Sequence, residues 1–231
     1  MRSYLTLIHG ALDYPFNRDF YVDAAEGFNG QKKRQELFCA IVDRLPPAAI
    51  VETGTFRGCT TEFMSRIAAC PIHTVEQHPR YYGYSRARLW KRGNVHGYWM
   101  DTLAFLRTKA GELLDPMART FFYLDAHWES FLPLRDELEL IFGRFRRAVI
   151  MIDDFKVPDD PGYRFDAYGP EQTLDLDYVR ASRLPALGVY FPSAPAADET
   201  GFKRGACVLA LKEDAEAIRA MDDLSLLRRW P

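Results

Sequence analysis

Short apolar, strand-like runs recur along the chain at Ala48 to Thr53, Ile72 to Glu76, Val95 to Trp99, Thr120 to Asp125 and Ala148 to Asp153, with helix-length segments between them. Runs this short and this apolar fit strands buried on both faces. Their alternation with helical segments predicts an α/β fold: a doubly wound, mostly parallel sheet with helices on both faces. The intervening segments have helical period, with Leu103, Leu106, Ala110 and Leu113 in one stripe and Phe131, Leu134, Leu138, Ile141 and Phe142 in another. After Asp154 the pattern gives way to a Pro-, Asp-, Gly- and Tyr-rich stretch over 156–170, too long for a minimal connection and hence a candidate lid. A helix from about Gln172 to Arg183 and two further strands, Gly188 to Phe191 and Ala206 to Leu211, follow. Residues 1–44 read as an N-terminal arm or cap, with Tyr4, Tyr14, Phe16, Phe20, Tyr21 and Phe28 scattered without clear period, ahead of a domain over 45–231.

Composition narrows the class. The 231 residues are 48% apolar and 27% charged, which suits one substantial core, and the net charge of −2 supplies no field that would gather nucleic acid or acidic lipid. No apolar run approaches the length of a bilayer span, and Asp13 and Asp19 interrupt the first twenty residues, so neither a membrane segment nor a signal peptide is expected. Cys39, Cys59, Cys70 and Cys207 show no C-x-x-C spacing. Four free thiols in a reducing cytoplasm are expected, with no zinc site.

The chemistry concentrates at strand ends. Val51-Glu52-Thr53-Gly54-Thr55-Phe56-Arg57-Gly58-Cys59-Thr60-Thr61 places two glycines between a buried strand and an amphipathic helix, the position at which α/β sheets bind ligands. A dinucleotide fingerprint would need glycine at 56 and 59, where Phe56 and Cys59 stand. The Glu-x-Gly-x-x-x-Gly spacing instead resembles the first motif of class I S-adenosylmethionine-dependent methyltransferases. That resemblance implies a cofactor site formed by Glu52, Gly54, Thr55, Gly58 and Thr60. It also implies a Rossmann-like methyltransferase fold with seven strands. Glu76, ending the next strand 22 positions beyond Gly54, is the acidic residue expected to hold the ribose hydroxyls. Trp99-Met100-Asp101-Thr102 is similar to the family's adenine-contacting segment, and Asp101 is equally well placed to cap the helix that follows.

Two adjacent strands end in carboxylates, Leu124-Asp125-Ala126-His127-Trp128 and Ile152-Asp153-Asp154-Phe155. Converging like charges in a partly dry cleft need protons or a cation, and hard oxygen donors suit Mg²⁺, with Mn²⁺ or Ca²⁺ as substitutes. Alternatively, these residues simply cap the next helix or loop. The ordered pair of motifs is similar to the metal-dependent O-methyltransferases of catechol and macrolide-sugar type. The resemblance implies Asp125, Asp153 and Asp154 as metal ligands, with Asp125 also at the cofactor. It departs from the catechol type, whose lysine follows the tryptophan, because Glu129 stands there in this chain. A histidine near the fourth strand, here His127, is the base that the sugar-modifying relatives suggest, and Lys156 is the alternative base. His127 serves equally well as a supporting residue and Lys156 as a solvated one. Trp128, Tyr163, Phe165 and Tyr168 are candidates to line the acceptor pocket or to pack the loop.

The resulting expectation is divalent-metal-dependent methyl transfer from S-adenosylmethionine to a hydroxyl of a small molecule such as a sugar, phenol or glycosylated natural product. Nucleic-acid and membrane partners are not expected, and a homo-oligomer is left open. The alternatives are a non-catalytic S-adenosylmethionine-binding protein and a metal-dependent hydroxylase of the same fold.

Overall fold

The computed structural model describes residues 2–17, 26–127, 132–169, 171–180, 182–219 and 226–230. Strands stand where the apolar runs predict them: β1 (Ala49–Thr53), β2 (Ile72–Glu76), β3 (Val95–Trp99), β4 (Thr120–Leu124), β5 (Ala148–Asp153), β6 (Leu187–Pro192) and β7 (Ala206–Leu211). With β8 (Leu227–Arg229) they form one eight-stranded sheet in the order β3-β2-β1-β4-β5-β7-β6-β8. Pairing is parallel from β3 through β5 and antiparallel beyond it. The sheet is therefore doubly wound and mostly parallel, with one strand more than the seven expected. β8 escapes a reading of apolar runs because it has three residues, two of them arginine. Such charges also suit an edge strand, which must not recruit another.

Successive side chains of a strand face opposite sides, so each central strand feeds two cores. Ile50, Phe121, Val149 and Met151 join Leu37, Phe38 and Ile41 of α2 (Lys32–Arg44) and Met64 of α3 (Cys59–Ile67) on one face. Val51, Phe122, Ile150 and Ile152 join Phe105 and Leu106 of α5 (Thr102–Arg107) and Leu138 and Ile141 of α7 (Leu134–Arg144) on the other. Of the expected N-terminal arm, α2 is thus an integral layer of the domain. Ahead of it, α1 (Arg2–Phe16) packs on α4 (Pro79–Leu89).

In α7, Leu134, Leu138, Ile141 and Phe142 are buried at helical spacing, while Asp136 and Glu137 in the first turn and Arg144 in the last complement the helix dipole. Phe131, expected in the same stripe, lies outside the described residues. The stripe of Leu103, Leu106, Ala110 and Leu113 is broken at Thr108 into α5 and a short α6 (Lys109–Leu113), which leaves Leu113 exposed. The Thr108 hydroxyl donates to the Ala104 carbonyl, a local bond that competes with helix continuation. The helix expected over 172–183 shrinks to α8 (Leu176–Arg180). Thr173 and Leu174 are held in extended pairings with Ala167 and Asp166, and Asp175 caps the helix at the Tyr178 N–H. The last helix, α9 (Lys212–Arg219), follows β7. All four cysteines are free thiols, and among the described residues no helix is long and apolar enough to cross a membrane.

The register sets the functional end of the sheet. Thr53 of β1 pairs with Leu124 of β4, and Leu124 pairs with Ile152 of β5, so the residues after these strands emerge at one level. The strand order reverses between β1 and β4, and ligands of open α/β sheets bind beyond the strand ends at such a switch point.

Candidate active site

The turn after β1 is built by close backbone approach. Gly54 has φ +85°, and a Cβ there would lie 2.2 Å from the carbonyl oxygen of Asp125. Glycine is thus demanded by the meeting of the β1 and β4 ends. The N–H groups of Gly54 and Thr55 both donate to the Val75 carbonyl, at 3.0 and 3.1 Å, which ties the turn to β2. Phe56 also adopts a left-handed backbone, φ +47°, and its N–H donates to Glu76 Oε2 at 2.8 Å. The other oxygen of Glu76 accepts from the His78 N–H at 2.7 Å. Each carboxylate oxygen keeps a further acceptor position. Burial pushes the Glu76 carboxyl above its ordinary value, although these backbone donors oppose the rise.

Glu76 opens into a cavity of about 390 Å³, lined on its side by Gly54, Phe56, His78, Tyr81 and Met100. The far wall of the same cavity carries Thr102, Asp125, His127, Asp154 and Asp166. Other residues expected at a cofactor lie beneath or beside it. Glu52 is buried under the turn, where its carboxylate accepts from the hydroxyls of Thr61 and Thr74. Burial lifts its pKa to about 7 against those two donors. The Thr55 hydroxyl shares a hydrogen bond with Thr74, and Thr60 Oγ1 accepts from the Phe28 N–H at 3.0 Å. Gly58 starts α3 against Leu89 of α4. Asp101 caps α5 by accepting from the Ala104 N–H at 2.9 Å.

At the acidic wall, the structure brings together Asp125, His127 and Asp154, with one donor atom from each within 4.8 Å of the others. His127 Nε2 lies 3.5 Å from Asp154 Oδ2, 3.8 Å from Asp125 Oδ1 and 4.0 Å from Asp166 Oδ2. That nitrogen is buried and has no hydrogen-bond partner among the described residues. Burial opposes a charged imidazole, but the carboxylates of Asp154, Asp153 and Asp166 outweigh it and raise the His127 pKa. Burial likewise raises the Asp125 carboxyl well above its ordinary value, reinforced by Asp153 and Asp154. Asp154 goes the other way: burial is overcome by His127 and Arg204, which hold it at about 2. Its backbone is left-handed at φ +54°, a conformation that costs a non-glycine residue energy and is common at functional sites.

Asp153, expected in this group, is turned away from it. It is fully buried and ion-paired with Arg34 of α2, while the Tyr123 hydroxyl and the Asn29 side-chain amide donate to its other oxygen. Lys156 is exposed, with its ammonium 5.4 Å from the Phe165 ring centre rather than at the carboxylates. Tyr163 is buried in the core with its hydroxyl on the Ala194 carbonyl, whereas Tyr168 donates to Asp166 at 2.6 Å and stands beside His127. Trp128 and Glu129 lie outside the described residues. The candidate lid is fastened in this structure: Asp166 N–H donates to the Asp154 carbonyl, Arg164 N–H to that of Lys203, and the Arg204 guanidinium binds both Asp154 and Asp166.

Asp166, Arg204, Arg34 and Asn29 are site or supporting residues that the sequence reading does not single out. Arg34 is one of several charges on α2 and meets its partner 119 positions away. A clue to Asp166 was its place in the same irregular stretch as Tyr168.

No protein-family model matches the chain, and no curated protein matches it in sequence. Solved structures do match it in shape. An O-methyltransferase from Bacillus cereus in complex with SAH is 14% identical with a TM-score of 0.59, over 90% of this chain and 91% of that one. The O-methyltransferase TomG from Streptomyces achromogenes, involved in tomaymycin synthesis and solved with SAM, is 16% identical with a TM-score of 0.58, over 89% of each chain. A putative O-methyltransferase from Klebsiella pneumoniae is 14% identical with a TM-score of 0.57, over 90% and 89%. The chain thus has the Rossmann-like α/β fold of S-adenosylmethionine-dependent O-methyltransferases.

Proposed function

We propose that this chain transfers a methyl group from S-adenosylmethionine to a hydroxyl of a small molecule, with a divalent cation held at the acidic wall. The observation that carries the reading is a single cavity with Glu76 and the glycine turn on one side and Asp125, His127 and Asp154 on the other. The carboxylates of Asp125 and Asp154 suit a divalent ion, and the imidazole of His127 stands beside them. Charge balance supports it: were the four carboxylates of Asp125, Asp153, Asp154 and Asp166 all ionised, they would exceed the two guanidiniums of Arg34 and Arg204 by two charges, and the raised pKa values of Asp125 and His127 show protons answering that excess, which a cation would replace. The unpartnered His127 Nε2 points into that same excess. Mg²⁺ is the expected ion, with Mn²⁺ or Ca²⁺ as substitutes.

When bound, the cofactor supplies an electrophilic methyl group and the cation supplies positive charge that favours the ionised form of an acceptor hydroxyl. Glu76 receives the ribose hydroxyls on the acceptor positions its backbone donors leave, and Phe56 and Tyr81 wall that end. Asp125 and Asp154 hold the cation, and His127 accepts the acceptor's proton at Nε2. Positioning of the two substrates in one cleft supplies much of the rate, because methyl transfer needs in-line geometry. In a second reading, favoured by the convergence of Nε2 on the carboxylates, His127 is the third cation ligand. Cation affinity separates the two: His127→Ala lowers it several-fold if the residue is a ligand and leaves it unchanged if it is the base.

Calorimetry with S-adenosylhomocysteine and NAD tests the cofactor, with binding of the first and none of the second expected. Binding of neither removes the assignment. Methyl transfer to a hydroxyl library, with and without chelator, tests the cation. Undiminished turnover in metal-free protein makes the acidic wall structural. Binding without any transfer favours the non-catalytic alternative.

A further inference from the structure

We propose that α1 is the dimerisation element of this protein, pairing with α1 of a second copy through an apolar face. This inference is independent of the proposed function. α1 packs on α4 with Leu7, Gly10, Ala11 and Tyr14. On its other side Tyr4, Leu5, Ile8, Leu12 and Phe16 are between 51% and 77% exposed. At 3.6 residues per turn these five fall in a sector of about 120°, turned by about 130° from the packed face, with Tyr4 at the border between the two. The helix is therefore apolar on both sides, which marks a helix covered on both sides rather than one facing water.

The presented face is rigid and uncharged. A Cβ on Gly10 would lie 1.9 Å from the Arg80 carbonyl oxygen and one on Gly83 would lie 2.0 Å from that of Leu7, so the two helices touch backbone to backbone. Asp13, which lines a pocket beside Leu12, is neutralised there by Arg80 at 2.7 Å. Among the described residues no Asp, Glu, Lys or Arg of α1 falls in the sector of these five, so none there would repel an identical face.

Area decides the occupant. Five side chains of this size and exposure present about 600 Å², at the upper end of what a monomer leaves open. Two copies face to face would cover about 1,200 Å², the lower bound for a specific, stable interface. A two-fold pair needs only this one self-complementary patch. α1 also supports the cofactor side of the cavity: Tyr4 packs edge-on against Trp99, and Arg80 directly precedes Tyr81 of the cavity wall.

Sedimentation equilibrium and light scattering on the full chain test this. The wild type is expected to be a dimer in the micromolar range, and Ile8→Glu/Leu12→Glu is expected to be monomeric with unchanged circular dichroism. Met117→Glu, at an exposed apolar residue elsewhere, should remain a dimer. A monomeric wild type overturns the proposal, whether or not it binds lipid vesicles, and so does a double variant that stays dimeric. If the double variant does not fold, the milder Ile8→Ser/Leu12→Ser must raise the dissociation constant at least tenfold. An unchanged constant overturns the proposal.

Discussion

Replacing Glu52 with glutamine removes a carboxylate buried beneath the glycine turn while keeping an oxygen to accept the Thr61 and Thr74 hydroxyls. Burial lifts the Glu52 pKa from 4.5 to about 7 in the folded chain. Below pH 4.5 both folded and unfolded states carry the proton, and the group adds no pH dependence. Between 4.5 and 7 the folded state alone keeps it, so stability falls as pH rises, and above 7 the loss is complete. A shift of this size corresponds to about 3 kcal/mol. The amide of the Glu52→Gln variant carries no charge at any pH, so the difference in stability between variant and wild type cancels every titration that does not feel the Glu52 charge, leaving Glu52 with its neighbours Glu76 and Asp125. Urea unfolding of both proteins at pH 4.5, 6 and 8 measures it. The variant should match the wild type at the lowest pH and exceed it by roughly 2 to 3 kcal/mol at the highest. A difference that stays flat across the series would show that Glu52 titrates normally and would refute the argument.

Glu76→Ala should weaken S-adenosylhomocysteine binding by about 1 to 3 kcal/mol, read by calorimetry. Arg34→Met leaves the buried Asp153 carboxylate uncompensated and should cost about 3 to 5 kcal/mol. A thermal melt shows this as a fall of roughly 10 °C, largely recovered when Asp153→Asn is added. His127→Ala should lower turnover by roughly 100-fold to 10,000-fold even at saturating cation while leaving S-adenosylhomocysteine affinity unchanged, and near-normal turnover at saturating Mg²⁺ would remove the residue from the role of base.

The parallel sheet was legible because strands buried on both faces tend to be apolar runs, as β4 and β5 are and β1 is up to Glu52, whereas β2 is buried throughout with only Ile72 and Val75 apolar. The strand-end position of Asp125 and Glu76 followed from the same runs. What local pattern could not show is partnership. Asp153 and Asp154 are neighbours with the same side chain, yet Arg34, Tyr123 and Asn29 claim the first and Arg204 and His127 face the second. That sorting depends on residues distant in sequence and on the left-handed backbone at Asp154. The glycine at 54 was legible, but its reason was not: it answers to the Asp125 carbonyl of another strand.

That last contact bears on how accurately a transferred group can be placed. With no side chain between Gly54 and Asp125, the glycine turn and the first residue of the acidic wall meet main chain against main chain. Rotamer changes cannot alter that contact, and ligand binding has no need to create it. The side chains of Glu76, Asp125 and Asp154 thus project from backbones whose spacing is set when the chain folds, so a donor and an acceptor seated there would lose less freedom in being brought together.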